Sequence, residues 1–343
     1  MGLLSAWRLL NQRPGRSVEN PALPPTSPFS TSNLSRVVWS DLLGSKAPVN
    51  REMAMSIPAV AGGRNLICNL ARNPLRAFRN ETEVATPAWM YRTNGGTSPF
   101  HRMLWTLDDL VFSGWSLWAV ERSTAGQITD AARVPREWWN FDPDSFEIFV
   151  QGQTVTPESV LLIPGPHEGL LEMAETTIRA AVDLERAWAM RVRRPIPAVE
   201  VHSTDDTPRT DTEIHELVDS VNEVIDGGGG VFHTPSDIEV KSHGDTVLDL
   251  LVQGRNAVTL DFGRYLSVPG VKLDAALASA SLQYSTAVDG RNEFVDTTAR
   301  FWLTPIEARL SLDDVVPRGQ RVAFDLSDMT DIPQTGQAPA TED

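Results

Sequence analysis

The sequence predicts an α+β chain in which two long helices flank a small α/β insert and a further long helix returns after a projecting loop. Three observations carry that prediction. Residues 245–267 (DTVLDLLVQGRNAVTLDFGRYLS) place Val247, Leu248, Leu251, Val258, Phe262, Tyr265 and Leu266 mostly three, four or seven apart, the spacing of a helix with one buried stripe. Glu172–Arg194 reads as a second long helix of about 35 Å at 1.5 Å per residue, with acid at its start and arginine at its end, complementing the helix dipole. Short strand-like runs between turns, such as Trp115–Arg122 and Ser159–Ile163, fill the first half.

Bulk properties narrow the function classes. A chain of 343 residues can bury a large core and hold two or three domains. Its hydrophobic share of 41% and charged share of 22% are those of a globular protein, and no apolar run reaches membrane-spanning length. The start, MGLLSAWRLLNQRPGR, is too short and interrupted in its apolar run for a secretory signal; an amphipathic presequence is the alternative. Cys68 is the only cysteine, which excludes an intrachain disulfide and a multi-cysteine metal site and suits a reducing cytoplasm. A net charge of -15 argues against general adhesion to nucleic acid. The charge is uneven: residues 1–50 hold five Lys/Arg against two Asp/Glu, whereas residues 200–251 hold two against thirteen. Such an acidic run is either a solvated face or an acidic wall in an assembly.

In chain order, residues 1–50 interleave Pro14, Pro21, Pro24, Pro25 and Pro28 with Ser, Thr and Asn, the composition of an extended arm. A helix is expected over 56–73, with Ser56 as N-cap and Asn73-Pro74 as stop, then an extended segment from Leu75 to Phe78. A second helix is expected over about His101–Val111. Gly114 then introduces the strand Trp115–Arg122, and Ser123–Gly126 turns the chain. Val134-Pro135 and Phe141-Asp142-Pro143 read as short extended pieces. Phe146–Val150 and Thr154–Val155 read as a small hairpin, and Ser159–Ile163 as a buried strand.

After Glu172–Arg194, Ile196–Val201 reads as a strand. Thr210-Asp211-Thr212-Glu213 is a capping box that opens a helix with Ile214, Leu217, Val218, Val221, Val224 and Ile225 on one face. Gly227–Gly230 ends it, and Val231–Phe232 and Ile238–Val240 follow as strands. Val268-Pro269-Gly270 stops the helix of 245–267. The loop Val271–Leu282 is small and without a core pattern. Helical spacing resumes over Tyr284–Arg300, and Thr304-Pro305-Ile306-Glu307 repeats the capping logic, predicting a kink or fresh helix to about Leu310. Arg321–Leu326 is a last strand, and residues 330–343 form a loose tail.

No catalytic constellation emerges. The four glycines at 227–230 follow a helix and lack the Lys-Ser/Thr of a phosphate loop, so they read as a helix end. None of the six histidines has a tight ligand spacing, although His202, His215, His233 and His243 fall in or beside the insert. Asp108-Asp109, Asp205-Asp206 and Asp313-Asp314 are sequence neighbours, which diverge on a helix or strand and make no two-carboxylate site; they read as surface acids. The ten tryptophans read as packing or subunit-contact residues rather than stacking platforms.

The order of short phrases from Ser56 to Met329 resembles the portal proteins of tailed bacteriophages, of the type found in phages with long non-contractile tails. Ile57–Phe78 is similar to that family's opening helix ending in a Pro-Leu strand, and Leu107–Arg122 to its helix followed by a Gly-aromatic strand ending in Arg. Phe141-Asp142-Pro143 and Ser159–Ile163 resemble the next strands. Gly254–Pro269 resembles the helix ending in Val-Pro, and Arg291–Phe294 with Phe301–Leu310 resembles the helix that carries a Pro and an Ile/Leu-Glu. The loop after Val-Pro departs from the family pattern, being rich in Ala and Ser.

The resemblance implies an α+β portal fold: an extended arm (1–50), a wing (51–171 and 284–329), a stem (172–194 and 245–267), a clip (195–244), a tunnel loop (268–283) and a flexible tail (330–343), with the crown absent or reduced. It implies a non-enzymatic ring of twelve copies at one capsid vertex, needing no cofactor, assembled in the bacterial cytoplasm and carried in the virion. Its partners would be double-stranded DNA passing through the channel, the terminase large subunit, a head–tail adaptor and the major capsid protein, with no membrane. Val271, Lys272, Leu273, Asp274, Ser279 and Ser281 would face DNA from the tunnel loop. Asp205, Asp206, Arg209, Glu213 and Glu216 would dock the adaptor. An acidic channel wall would repel the phosphate backbone and let DNA slide. Two other classes compete: a virion or tail component without a channel, and an enzyme with a scattered site, which the missing motifs disfavour.

Overall fold

The computed structural model describes residues 48–141, 147–193, 198–204, 210–226, 238–243, 249–273 and 292–330. The chain divides into two compact units, Met1–Ile178 with Thr259–Asp343, and Arg179–Val258. No helix among the described residues is long and apolar enough to cross a membrane.

The first unit opens with α1 (Arg51–Met55) and α2 (Pro58–Cys68), the latter running into a 3-10 turn over Asn69–Arg72. Ser56 was expected to cap α2 but closes α1, its hydroxyl donating to the Met53 carbonyl at 2.7 Å. The cause is Pro58: it takes the first helical position and holds Ile57 extended, so the cap shifts by one residue. β1 (Leu75–Arg79) lies between β11 (Gln320–Phe324) and β2 (Thr82–Val84), bringing the two ends of this unit into one antiparallel sheet.

After α3 (Ala88–Tyr91), α4 (Pro99–Ser113) packs on a second antiparallel sheet of β4 (Ile128–Val134), β3 (Trp115–Arg122) and β8 (Val160–Pro164). Ser98 caps α4, and Gly114 ends it in the left-handed region. Leu107, Leu110, Trp118 and Leu161 are fully buried between helix and sheet, and Leu117 is buried on the sheet's other face with Val134 and Val160. β5 (Trp139–Phe141), β6 (Ile148–Val150) and β7 (Gln153–Thr154) form a third small sheet. Gln151 and Gly152, both with positive φ, make its expected tight hairpin turn.

A short helix, α5 (Leu170–Met173), precedes α6 (Glu175–Arg193). The single helix expected from Glu172 is therefore interrupted: Ala174, at φ -110° and ψ 19°, leaves helical geometry, and Glu175 begins the long element. α8 (Asp249–Leu266) is the next long helix to join this unit. Helix then runs from 292 to α9 (Arg300–Leu310) through a π turn, Val295–Ala299, and α10 (Ser327–Thr330) follows β11. Thr304 starts no new helix, because Pro305 is accommodated inside α9. Trp302, Leu303, Ile306 and Leu310 are all buried on one face, and their packing outweighs the proline cost of about 3 kcal/mol. Glu307 accepts from the Phe324 amide at 2.7 Å, tying α9 to β11.

In the second unit, β9 (Ala198–Ser203) and β10 (Ile238–His243) form an antiparallel ribbon that pairs Val201 with Val240 and Glu200 with Lys241. α7 (Asp211–Asp226) opens with the expected capping box: the Thr210 amide donates to Glu213 at 2.8 Å and the Glu213 amide to the Thr210 hydroxyl at 3.4 Å. On α8, Arg255 bonds Glu185 of α6 at 2.8 Å and lies over the Trp188 ring, while Gly254 leaves room for Leu184. The arm of 1–47, the glycines of 227–230, the strand expected at Val231–Phe232 and the tail of 331–343 lie outside the described residues.

Candidate functional site

The candidate site of the first unit is the turn that follows α8. α8 ends at Leu266, and Ser267 takes the left-handed conformation (φ 52°) usually left to Gly or Asn. The Val268 amide bonds the Gly263 carbonyl at 2.9 Å and the Ser267 amide the Arg264 carbonyl at 3.3 Å, the paired bonds of a Schellman stop. Two carbonyls of this last turn are then taken by side chains from the returning helix. Trp302 Nε1 donates to the Leu266 carbonyl at 2.9 Å, and Thr298 Oγ1 to the Ser267 carbonyl at 2.6 Å. Both donors are fully buried and sit four residues apart, one helical turn, so one face of the helix clasps the end of the other. Thr298 lies within the π turn, an irregularity that recurs at functional sites.

The chain beyond is seated as well. Gly270–Leu273 forms a 3-10 turn, closed by the Lys272 amide on the Pro269 carbonyl at 2.8 Å. Leu266 and Leu273 pack where α2 has Gly62 and Gly63. A Cβ on Gly63 would fall 2.5 Å from Leu266 Cδ1, so a side chain here would force the Leu266 side chain to shift. Leu273 is therefore partly covered, while Val271 (64% exposed) and Lys272 stand out toward solvent. Of the predicted loop residues, the structure brings these three together at the root. Asp274, Ser279 and Ser281 lie outside the described residues.

Behind the clasp, the His167 ring meets Trp302 edge-on at 5.0 Å. Its Nδ1 accepts from the Gly169 amide at 3.0 Å, and its Nε2 is buried with no partner among the described residues. Burial holds its pKa below the usual 6.5, with Glu168 opposing.

The scaffold carrying this base is pinned by buried charges that were expected at the surface. Asp108 receives Arg51 and Arg64 at 3.0 and 2.7 Å, while Asp109 receives Arg133 and the Ser116 hydroxyl. Both acids are 3% exposed. They diverge on α4 as neighbours must, but arginines far away in sequence bury each one. Burial raises the Asp109 pKa, and Arg133 opposes the rise. Arg102 donates to the carbonyls of Ala131, Trp89 and Met90 and lies over Trp118, whose indole donates to Thr106. Burial lowers its pKa to about 10, with Asp130 opposing.

In the second unit, Glu213 is held in the capping box and Glu216 is exposed on α7. Asp205, Asp206 and Arg209 lie outside the described residues. The residues that sequence reasoning missed are Thr298 and Trp302. Trp302 sits in one of the diagnostic phrases, but its hydrogen bond to a residue 36 positions away leaves no local trace.

The fold has a solved counterpart. The fold matches an HK97 family phage portal protein from Corynebacterium diphtheriae with a TM-score of 0.71 and 30% sequence identity, over 84% of this chain and 99% of that one. The chain belongs to the HK97 family of phage portal proteins. The portal fold also matches chains of two gene transfer agent structures: the neck of an empty particle (13% identity, TM-score 0.57, 85% of this chain and 90% of that one) and the neck of a native particle computed with C12 symmetry (12%, 0.57, 88% and 91%). At that identity they show the fold alone. No family model matches the sequence, and no curated protein matches it. The portal assignment therefore rests on three-dimensional likeness together with the identity that accompanies it.

Proposed function

We propose that this portal chain assembles as a ring of twelve copies at one vertex of a phage capsid and serves as the channel through which double-stranded DNA enters and leaves. The observation that carries the reading is the clasped loop base in a chain of the portal family. A clasped helix end holds Val271 and Lys272 outward, at the start of a segment whose sequence has no core pattern. The twelvefold number is supported by the C12 symmetry of the similar neck structure. Lys272 then contributes a repeated positive charge toward the phosphate backbone, and Val271, Asp274, Ser279 and Ser281 line the same loop surface in this reading, with Leu273 at its root packed toward α2.

Residues 195–244, within the second unit, serve as the clip in this reading. Its acidic residues Asp205, Asp206, Glu213 and Glu216, with Arg209, meet the head–tail adaptor after the terminase large subunit has left. Residues 51–171 and 284–329, within the first unit, are the wing, against the major capsid protein, and residues 172–194 and 245–267 are the stem. The role is structural, without catalysis or cofactor, and the assembled protein belongs to the virion after assembly in the bacterial cytoplasm.

Negative-stain class averages of the purified chain test the ring. Closed rings with a central hole are expected, and a chain that stays monomeric at high concentration and in the presence of its scaffold overturns the reading. Lys272→Glu is expected to leave rings intact and lower the mass of DNA packaged. Normal packaged genome mass in that variant removes the charge from the mechanism.

A further inference from the structure

We propose that the apolar stripe of α7 seats the arginine-rich end of α6 from a second copy of the chain. The inference rests on the ring reading and names a contact that closes the ring.

α7 is amphipathic: Ile214, Leu217, Val218 and Val221 fall within an arc of about 100°. In a core helix such a stripe is covered, yet Ile214 remains 45% and Val218 43% exposed. The helix carries six acids and no Lys or Arg, with Asp211, Asp219 and Asp226 following one flank of the stripe. The last two turns of α6 are the opposite in charge. In sequence those turns carry Arg191 and Arg193 and no Asp or Glu, and Met190 and Val192 are 64% and 57% exposed.

Both patches belong to the same compact unit, but all four of these apolar residues stay open, so neither patch covers the other within one chain. Like-with-like contact is disfavoured, because α7 against α7 sets acid on acid and α6 against α6 sets arginine on arginine. The unlike pairing matches charge and covers apolar surface together. Two different patches that pair between identical copies form a head-to-tail contact, which closes into a ring when the rotation allows. Apolar burial supplies the affinity, and the charges set partner and register.

Sedimentation velocity and class averages of the full-length chain test this. Ile214→Ser with Val218→Ser, and separately Arg191→Glu with Arg193→Glu, are expected to shift rings to monomers while the circular dichroism spectrum is kept. Adding Asp219→Lys and Asp226→Lys to the arginine variant is expected to restore rings, which a purely local folding role would not do. Wild-type rings that survive the apolar substitutions overturn this contact and leave the ring reading standing, whereas a wild-type chain that never assembles overturns both. Broken rings that the charge exchange fails to restore overturn the pairing of these two patches. Intact rings that fail only to enter particles overturn it too, and assign the face to a foreign protein.

Discussion

α4 and α7 begin from nearly the same sequence logic and end in opposite surroundings. They have 15 and 16 residues, each is opened by a hydroxyl cap, and each carries an apolar stripe at helical spacing. α4 is buried so deeply that Arg102, Asp108 and Asp109 lie under 4% exposed, whereas α7 keeps nearly its whole described length open. The difference teaches that an amphipathic pattern specifies a helix and a face, but not what covers the face. α4 is enclosed by strands and arginines of its own chain. α7 presents its stripe outward, as expected of an element that completes its packing in an assembly.

The strongest way to break the contrast is to remove one buried partner. Asp109→Ala leaves Arg133 buried without its carboxylate and is expected to cost about 3–5 kcal/mol, read by urea denaturation of the monomer. A loss under about 1 kcal/mol would mean that water reaches the pair. A smaller effect is expected at the loop base: Trp302→Phe deprives the Leu266 carbonyl of its donor and is expected to cost about 1–3 kcal/mol, with faster amide exchange at Ser267 and Val268. Unchanged exchange there would show that Thr298 alone holds the turn. At the exposed helix, Thr210→Ala removes one side of the capping box and is expected to cost about 1 kcal/mol, with fraying confined to the first turn of α7 by hydrogen exchange. Loss of the whole α7 helix signal would show that the cap nucleates it.

The finest test uses pH. Because burial holds the folded-state pKa of His167 below 6.5, the unfolded chain takes up that proton first as pH falls. The stability contribution is full above 6.5 and is lost as pH drops below it toward the folded-state value. Melting temperature is therefore expected to fall on acidification through this window, and to fall less in His167→Phe. Identical pH profiles for the two proteins would place the titration elsewhere.

Much of the fold is legible along the chain because it depends on neighbours in sequence. The stop at Val268-Pro269-Gly270, the capping box at Thr210 and the strand at Trp115 each follow from residues within one turn or one hairpin. The errors share a cause as well. Ser56 lost its cap to the proline two positions on, Ala174 broke a helix whose pattern continued past it, and Thr304-Pro305 was overridden by the buried face of α9. In the candidate site, the loop root at Val271–Leu273 was readable from its flanking stop signals. The clasp was not, since Thr298 and Trp302 act on carbonyls 31 and 36 residues away.

By itself, the sequence determined periodicity, caps, stops and the placing of an acidic stretch between two long helices, all set by local backbone sterics and side-chain spacing. Only the tertiary structure decided that Asp108 and Asp109 are buried, that the end of α8 is held by a tryptophan and a threonine, and that α7 stays open while α4 does not. Burial and ion pairing depend on which distant residues arrive at the same place. That choice is made when the chain closes on itself, because only then does leaving water have to be balanced by a partner.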